Sequence, residues 1–241
     1  MLPAEQVSLR GLGLERRERW LFRRIDIEVP RGKFIAIVGP SGAGKTSLLA
    51  CLAGTLKPSE GEVVFRCAEG CPHAPSAFRK RLGIVFQNFL LVGNGTLLHN
   101  VLCGRLGRYP WWRTLAGFPR ADRHEAFKTL DGLGLAGHVH RRAFEVSGGE
   151  QQRAALARAL FQEPEMFLAD EPVSNLDPDL TLRVLEILQA QTRQDSRTVV
   201  CVLHDREMVE RFADMVITLN PERPEEWTLR VTRHDDDALP A

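Results

Sequence analysis

Five short apolar runs punctuate the chain: FIAIV (34–38), LGIVF (82–86), MFLA (166–169), TVVCVL (198–203) and MVITL (215–219). Runs of this length, bounded by turn residues, predict strands buried on both faces of a mainly parallel sheet. Between them the apolar period changes to that of helices. Residues 45–52 carry Leu48, Leu49 and Leu52, residues 148–161 are rich in Ala, Leu and Arg, and residues 179–191 place Leu180, Val184, Leu185 and Leu188 on one face. Strands alternating with helices predict an α/β fold. Residues 6–12, 24–29 and 62–65 alternate apolar and polar positions, the pattern of an antiparallel edge sheet with one solvated face. Residues 90–145 hold no good strand pattern and read as a helical subdomain inserted between core strands. One domain, 1–241, is expected: a core over 1–88 and 162–233, a helical subdomain over about 89–161, and an acidic tail, 234–241, without fixed structure.

Composition narrows the partners. The chain of 241 residues is 44% hydrophobic and 26% charged, with a net charge of +1. That balance predicts no nucleic-acid partner. The N-terminus MLPAEQVSL has neither the basic nor the apolar segment of a signal peptide, and no apolar run approaches a membrane span. A soluble cytoplasmic chain is expected. The five cysteines are scattered and suit reduced thiols. CAEGCPH, from Cys67 through Cys71 to His73, lacks a fourth ligand and is expected to be a loop, not a metal site.

The chemistry begins at GPSGAGKT, residues 39–46, which matches G-x-x-x-x-G-K-[ST] between a predicted strand and a predicted helix. Gly39, Pro40, Ser41, Gly42, Ala43 and Gly44 form a loop whose N–H groups can point at phosphate oxygens. The helix behind it adds its positive end. Lys45 supplies a cation for the outer phosphates, and Thr46, with Ser47 beside it, offers a hydroxyl to Mg²⁺, a hard ion that prefers oxygen. FLADEP, residues 167–172, ends an apolar strand in two carboxylates. Asp170 is placed to hold Mg²⁺ and Glu171 to activate the attacking water. VSGGEQQRAALARAL, residues 146–160, is a second helix start suited to phosphate, with the Ser147 hydroxyl and the bare N–H groups of Gly148 and Gly149, yet it has no lysine and no preceding strand.

Taken together, GPSGAGKT, Gln87 in VFQN, VSGGEQQR, FLADEP, SNLD (174–177) and His204 in VLHD resemble, in order and spacing, the motif set of ABC transporter ATP-binding subunits over roughly residues 7–219. The resemblance implies ATP and Mg²⁺ as ligands and a head-to-tail dimer. The phosphate loop of one chain would face Ser147, Gly148 and Gly149 of the other across the nucleotide, so a chain with one copy of each motif must pair; a homodimer is expected. It further implies that Thr46, Gln87 and Asp170 hold Mg²⁺, that His204 and Gln87 join Glu171 in catalysis, and that Asp177 lies on a loop communicating across the dimer. Three positions depart from the family's pattern. Arg16 or Arg17 stands where an aromatic usually stacks on adenine, the signature reads SGGE and not SGGQ, and the phosphate loop ends Lys-Thr-Ser.

The stretch 100–127, with its GRLGR run followed by Trp111 and Trp112, is most similar to phosphonate-importer ATPases, as is LADEPVSNLDP. This implies an ATP-hydrolysing translocase subunit at the cytoplasmic face of the inner membrane, working with integral membrane permease subunits and a periplasmic substrate-binding protein. The tryptophans either dock a membrane subunit or pack the helical subdomain. Two other tasks use the same chemistry: lipoprotein release or cell division, in which SGGEQQR also occurs, and service as a soluble accessory ATPase on a phosphonate-degrading enzyme complex.

Overall fold

The computed structural model describes residues 5–66, 72–73, 78–110, 112 and 117–232. Strands β3 (Phe34–Val38), β6 (Leu82–Val85), β7 (Met166–Ala169), β8 (Thr198–Val202), β9 (Met215–Thr218) and β10 (Thr228–Val231) form a six-stranded sheet in the order β10-β9-β3-β8-β7-β6. Its strands run parallel except β10, which pairs antiparallel with β9. A second, antiparallel sheet joins β1 (Glu5–Arg16), β2 (Arg19–Pro30), β4 (Glu60–Arg66) and β5 (Pro72–His73) in the order β2-β1-β4-β5. The α/β class and the edge sheet are those the sequence predicts. Strand β5 is an addition: His73 pairs with Phe65 in the ladder, while Cys67 and Cys71 lie outside the described residues, as does the tail 234–241.

Alternation along the central strands sorts side chains into two cores. Ile35, Ile37, Met166, Leu168, Val200 and Val202 face the antiparallel sheet and helix α1 (Lys45–Leu52). Phe34, Ala36, Phe167, Ala169, Val199 and Cys201 face the opposite side. There they meet α2 (Leu97–Leu102), α3 (Arg120–Gly132), α4 (Gly148–Phe161), α5 (Pro178–Asp195) and α6 (Arg206–Phe212). The helices that follow the two phosphate-type starts, α1 and α4, are therefore on opposite faces of one sheet. Among the described residues no helix is long and apolar enough to cross a membrane.

The GRLGR run has a structural duty. Residues Cys103–Arg108 form a 3-10 helix that packs on the end of α4. A Cβ on Gly104 would stand 2.5 Å from the Arg158 carbonyl, so only glycine permits the approach. Arg105, 6% exposed at its side chain, donates Nε–H to the Phe161 carbonyl at 2.9 Å, pairs with Asp122 at 3.2 Å and binds Glu125, while its guanidinium lies 4.0 Å from the centroid of the Phe161 ring. The Tyr109 hydroxyl donates to the other Asp122 oxygen at 2.6 Å. Arg108 reaches the Gln162 carbonyl and Glu163. Removing Arg105 leaves Asp122 buried without its cation, and breaking a buried pair on one side costs about 3 kcal/mol or more. Arg105→Met is expected to lower Tm by roughly 6–12 °C in a domain of this size. Arg105→Lys should recover only part, because an ammonium cannot make the forked contacts. Thermal melting of both variants checks this, and an unchanged Tm for Arg105→Met would contradict it.

Candidate active site

The carboxyl ends of β3, β8, β7 and β6, neighbours in the sheet, deliver the phosphate loop, His204, Asp170–Glu171 and Gln87 to one edge. This is where parallel sheets bind ligands. Three loop glycines have positive φ: Gly39 at 147°, Gly42 at 77° and Gly44 at 91°. At Gly39 a Cβ would also stand 2.8 Å from the Leu219 carbonyl, and at Gly44 3.0 Å from Leu21 Cβ. The loop thus depends on glycine both for conformation and for space. Ala43 N–H donates to the Pro40 carbonyl at 3.2 Å, closing the turn. Lys45, buried at the start of α1, folds over it and donates to the carbonyls of Gly39 at 2.8 Å and Pro40 at 3.0 Å. Ser41 and Thr46 are exposed and Ser47 half-buried.

Asp170 is buried, held between strands by its N–H bond to the Val85 carbonyl. Burial pushes its carboxyl pKa up, and the neighbouring Glu171 charge adds to this. The Thr46 hydroxyl, Lys45 and His204 pull the other way. Its Oδ1 is buried and without a hydrogen-bond partner. A buried carboxylate oxygen left unpaired, beside a hydroxyl and a phosphate-type loop, fits an oxygen-seeking cation. Thr46 and Asp170 are in contact; Gln87, exposed on the turn two residues beyond Val85, projects from the adjacent strand end. ATP and Mg²⁺ fit the residues present.

Glu171 adopts φ 51°, unusual for a non-glycine residue. Its Oε1 lies 2.6 Å from His204 Nε2. The predicted base and the predicted γ-phosphate contact are therefore hydrogen-bonded to each other. Three donors converge on the Glu171 carbonyl: Ser174 N–H at 3.3 Å, Ser174 Oγ at 3.1 Å and Gln152 Nε2 at 2.8 Å. The sequence singled out neither Ser174 nor Gln152 for this. The available signal was a polar residue on the buried face of an Ala-rich helix.

Ser147 is the N-cap of α4 and forms a capping box with Glu150: Ser147 N–H donates to Glu150 Oε2 at 2.7 Å, and Glu150 N–H to Ser147 Oγ at 3.4 Å. The backbone and hydroxyl bonds from Ser147 hold the Glu150 carboxyl below its ordinary pKa. SGGE is thus a complete cap, and a glutamine at 150 could accept the same backbone bond. Gly148 has open space around it, and Gly149 packs near the Asn175 carbonyl. Asp177 is the N-cap of α5, accepting from Leu180 N–H at 3.0 Å. At the other end of α4, Arg158 donates to the carbonyls of Phe89 at 2.8 Å and Leu90 at 2.7 Å, fixing the left-handed turn that follows Gln87.

Arg17 and Glu18 form the β1–β2 turn, both with positive φ, and Arg16 pairs with Arg19 across it. Burial pushes the thiol of Cys51 in α1 up to about 11, and the Arg16 charge opposes this. The Trp20 ring is covered by Arg23, 4.5 Å from its centroid. Trp112 is 61% exposed; Trp111 lies outside the described residues.

A glycine-built phosphate loop, a strand-end carboxylate pair, a facing histidine and a second, capped helix start on the opposite side of the sheet define a nucleotide-hydrolysing cassette. The chain belongs to the ABC transporter family, whose pattern it matches over residues 22–174, and it is an ABC-type ATPase. It is 40% identical to the phosphonates import ATP-binding protein PhnC of Nitratidesulfovibrio vulgaris, over 83% of this chain and 77% of that one. It is 37% identical to PhnC of Bordetella parapertussis, over 88% of each. The fold superposes on the ATP-binding cassette MJ0796, solved as a dimer in a post-hydrolysis state with ADP and Pi, with a TM-score of 0.82 at 27% identity, covering 95% of this chain and 99% of that one.

Proposed function

We propose that this chain is the ATP-hydrolysing subunit of a phosphonate importer and works as a head-to-tail homodimer at the cytoplasmic face of the inner membrane. The observation that carries the dimer is the placement of α1 and α4 on opposite faces of the central sheet. The phosphate loop and the SGGE start then serve two different nucleotides. The kinship to phosphonate-import ATPases supports the cargo.

The phosphates of ATP lie in loop 39–46, with Lys45 exchanging the Gly39 and Pro40 carbonyls for phosphate oxygens. Thr46, Gln87 and Asp170 would hold Mg²⁺, which would draw charge from the phosphoryl oxygens. Ser147, Gly148 and Gly149 of the second copy donate to the γ-phosphate. Glu171 takes a proton from the attacking water while His204, released from its bond to Glu171, contacts the γ-phosphate. Products are ADP, inorganic phosphate and a proton. Loss of the γ-phosphate removes the group that joins the two copies, and Asp177 relays the change across the interface.

Docking of permease subunits is supported by exposed apolar side chains around the turn after Gln87: Leu90, Val92 and Phe144 are each more than half exposed, and Phe144 N–H bonds the Gly93 carbonyl. Trp112 adds a large exposed ring. The test is to tag the chain at its native locus, extract membranes gently and identify what co-purifies. A multi-span membrane protein with a periplasmic binding protein that titrates with phosphonates is expected. A membrane partner with large extracytoplasmic domains and no binding protein, or soluble enzymes alone, would overturn the importer.

A further inference from the structure

We infer that Gln152 is a positioning residue for Glu171, so that the helix gripping one nucleotide sets the hydrolytic carboxylate that acts on the other. This rests on the reading of Glu171 as general base and of the dimer as head-to-tail. Gln152 is 2% exposed, one and a half turns into α4 from Ser147. Its Nε2 donates to the Glu171 carbonyl at 2.8 Å, whereas its Oε1 is buried with no partner. An apolar side chain of the same length would avoid that unpaired oxygen. The amide is explained by what its nitrogen holds.

What it holds is a strained point. Glu171 has φ 51°, a conformation that costs a side-chain-bearing residue energy. The carbonyl is fixed there by Gln152 from the helix and by Ser174 from its own loop. With the backbone so turned, the carboxylate reaches His204. Released, the residue would relax toward the right-handed region and carry the carboxylate away from the strand end. A second contact makes the linkage stiff: a Cβ at Gly149 would stand 3.1 Å from the Asn175 carbonyl, so the start of α4 rests directly on the loop that follows Glu171. A displacement of Ser147–Gly149 on engaging a γ-phosphate therefore reaches Glu171 through Gln152 and Asn175.

The test uses the full chain with Gln152→Met, which keeps length and removes the donor. Expected is a fall in kcat for ATP hydrolysis of roughly 10–100-fold, the scale of a small misplacement of a reacting group. KM, the affinity for a fluorescent ATP analogue and Tm should stay close to native. In a Glu171→Gln background, Gln152→Met should still form the ATP-dependent dimer. An unchanged kcat, or a loss that merely follows a lowered Tm or a raised KM, would overturn the inference. If Gln152→Met does not fold, Ser174→Ala decides, since it removes another donor from the same carbonyl at an exposed position and should lower kcat alone. Full hydrolysis by Glu171→Gln would sink the general-base reading itself; an inactive Glu171→Gln beside a fully active Gln152→Met would sink only the positioning role.

Discussion

Glu171→Gln is expected to lower kcat for ATP hydrolysis by on the order of 10³-fold and to leave ATP affinity near native. Glutamine keeps the length of the side chain, and its carbonyl oxygen can still accept from His204 in the tautomer that protonates Nε2, the partner at 2.6 Å. The backbone is fixed independently of the carboxylate by Gln152 and Ser174. What is lost is the capacity to take a proton from water. In the proposed site nucleotide affinity resides elsewhere, in the glycine loop that Lys45 folds over and in Thr46 and Asp170 beside it. Since the γ-phosphate then persists, the two copies should remain joined. Gel filtration with ATP and Mg²⁺ should show a dimer for the variant and mostly monomer for the native chain after turnover. Native turnover by the variant would remove Glu171 from the role.

The layout of this site was legible because each part rides on an element with a strong local signal. FIAIV, MFLA and TVVCVL are apolar on both strand faces, and the structure buries every residue of β7 and β8. The loop residues that follow such strands are then brought to one edge by the parallel topology alone. Helix α4 was equally clear, capped by Ser147 and Glu150. Strand β10 was not foreseen, because all its residues are exposed and its place is set by pairing with β9, not by burial. The role of Gln152 was hidden within Gln151–Gln152: local sequence cannot tell which of two adjacent amides meets a carbonyl nineteen residues away. In the sequence GRLGR shows only kinship, while the structure gives it a mechanical cause in Gly104, Arg105 and Arg108. Local sequence does not separate Arg16 from Arg17; the structure puts Arg17 at the tip of the turn and Arg16 opposite Arg19 in the ladder.

Ser147→Arg should abolish hydrolysis while a single chain still binds ATP at native affinity. Ser147 caps α4, and losing the cap costs about 1 kcal/mol, a Tm change of only ~2–4 °C. The fold is therefore expected to stand. Nor does the change touch the chain's own phosphate loop, which begins a helix on the other face of the sheet. The effect falls on the second copy's nucleotide. A serine lets phosphate come within hydrogen-bond reach of the Gly148 and Gly149 N–H groups; an arginine is attracted to phosphate but is long enough to hold it away from them. Closure then fails although the charge is favourable. Sharing of sites yields a sharper outcome. Mixed with Glu171→Gln, the Ser147→Arg chain keeps its own loop and base and can borrow an intact Ser147 from its partner. Such mixtures should regain part of the lost hydrolysis, though neither variant alone hydrolyses ATP appreciably. Hydrolysis surviving in Ser147→Arg alone would mean that this chain completes its ATP site without a second copy.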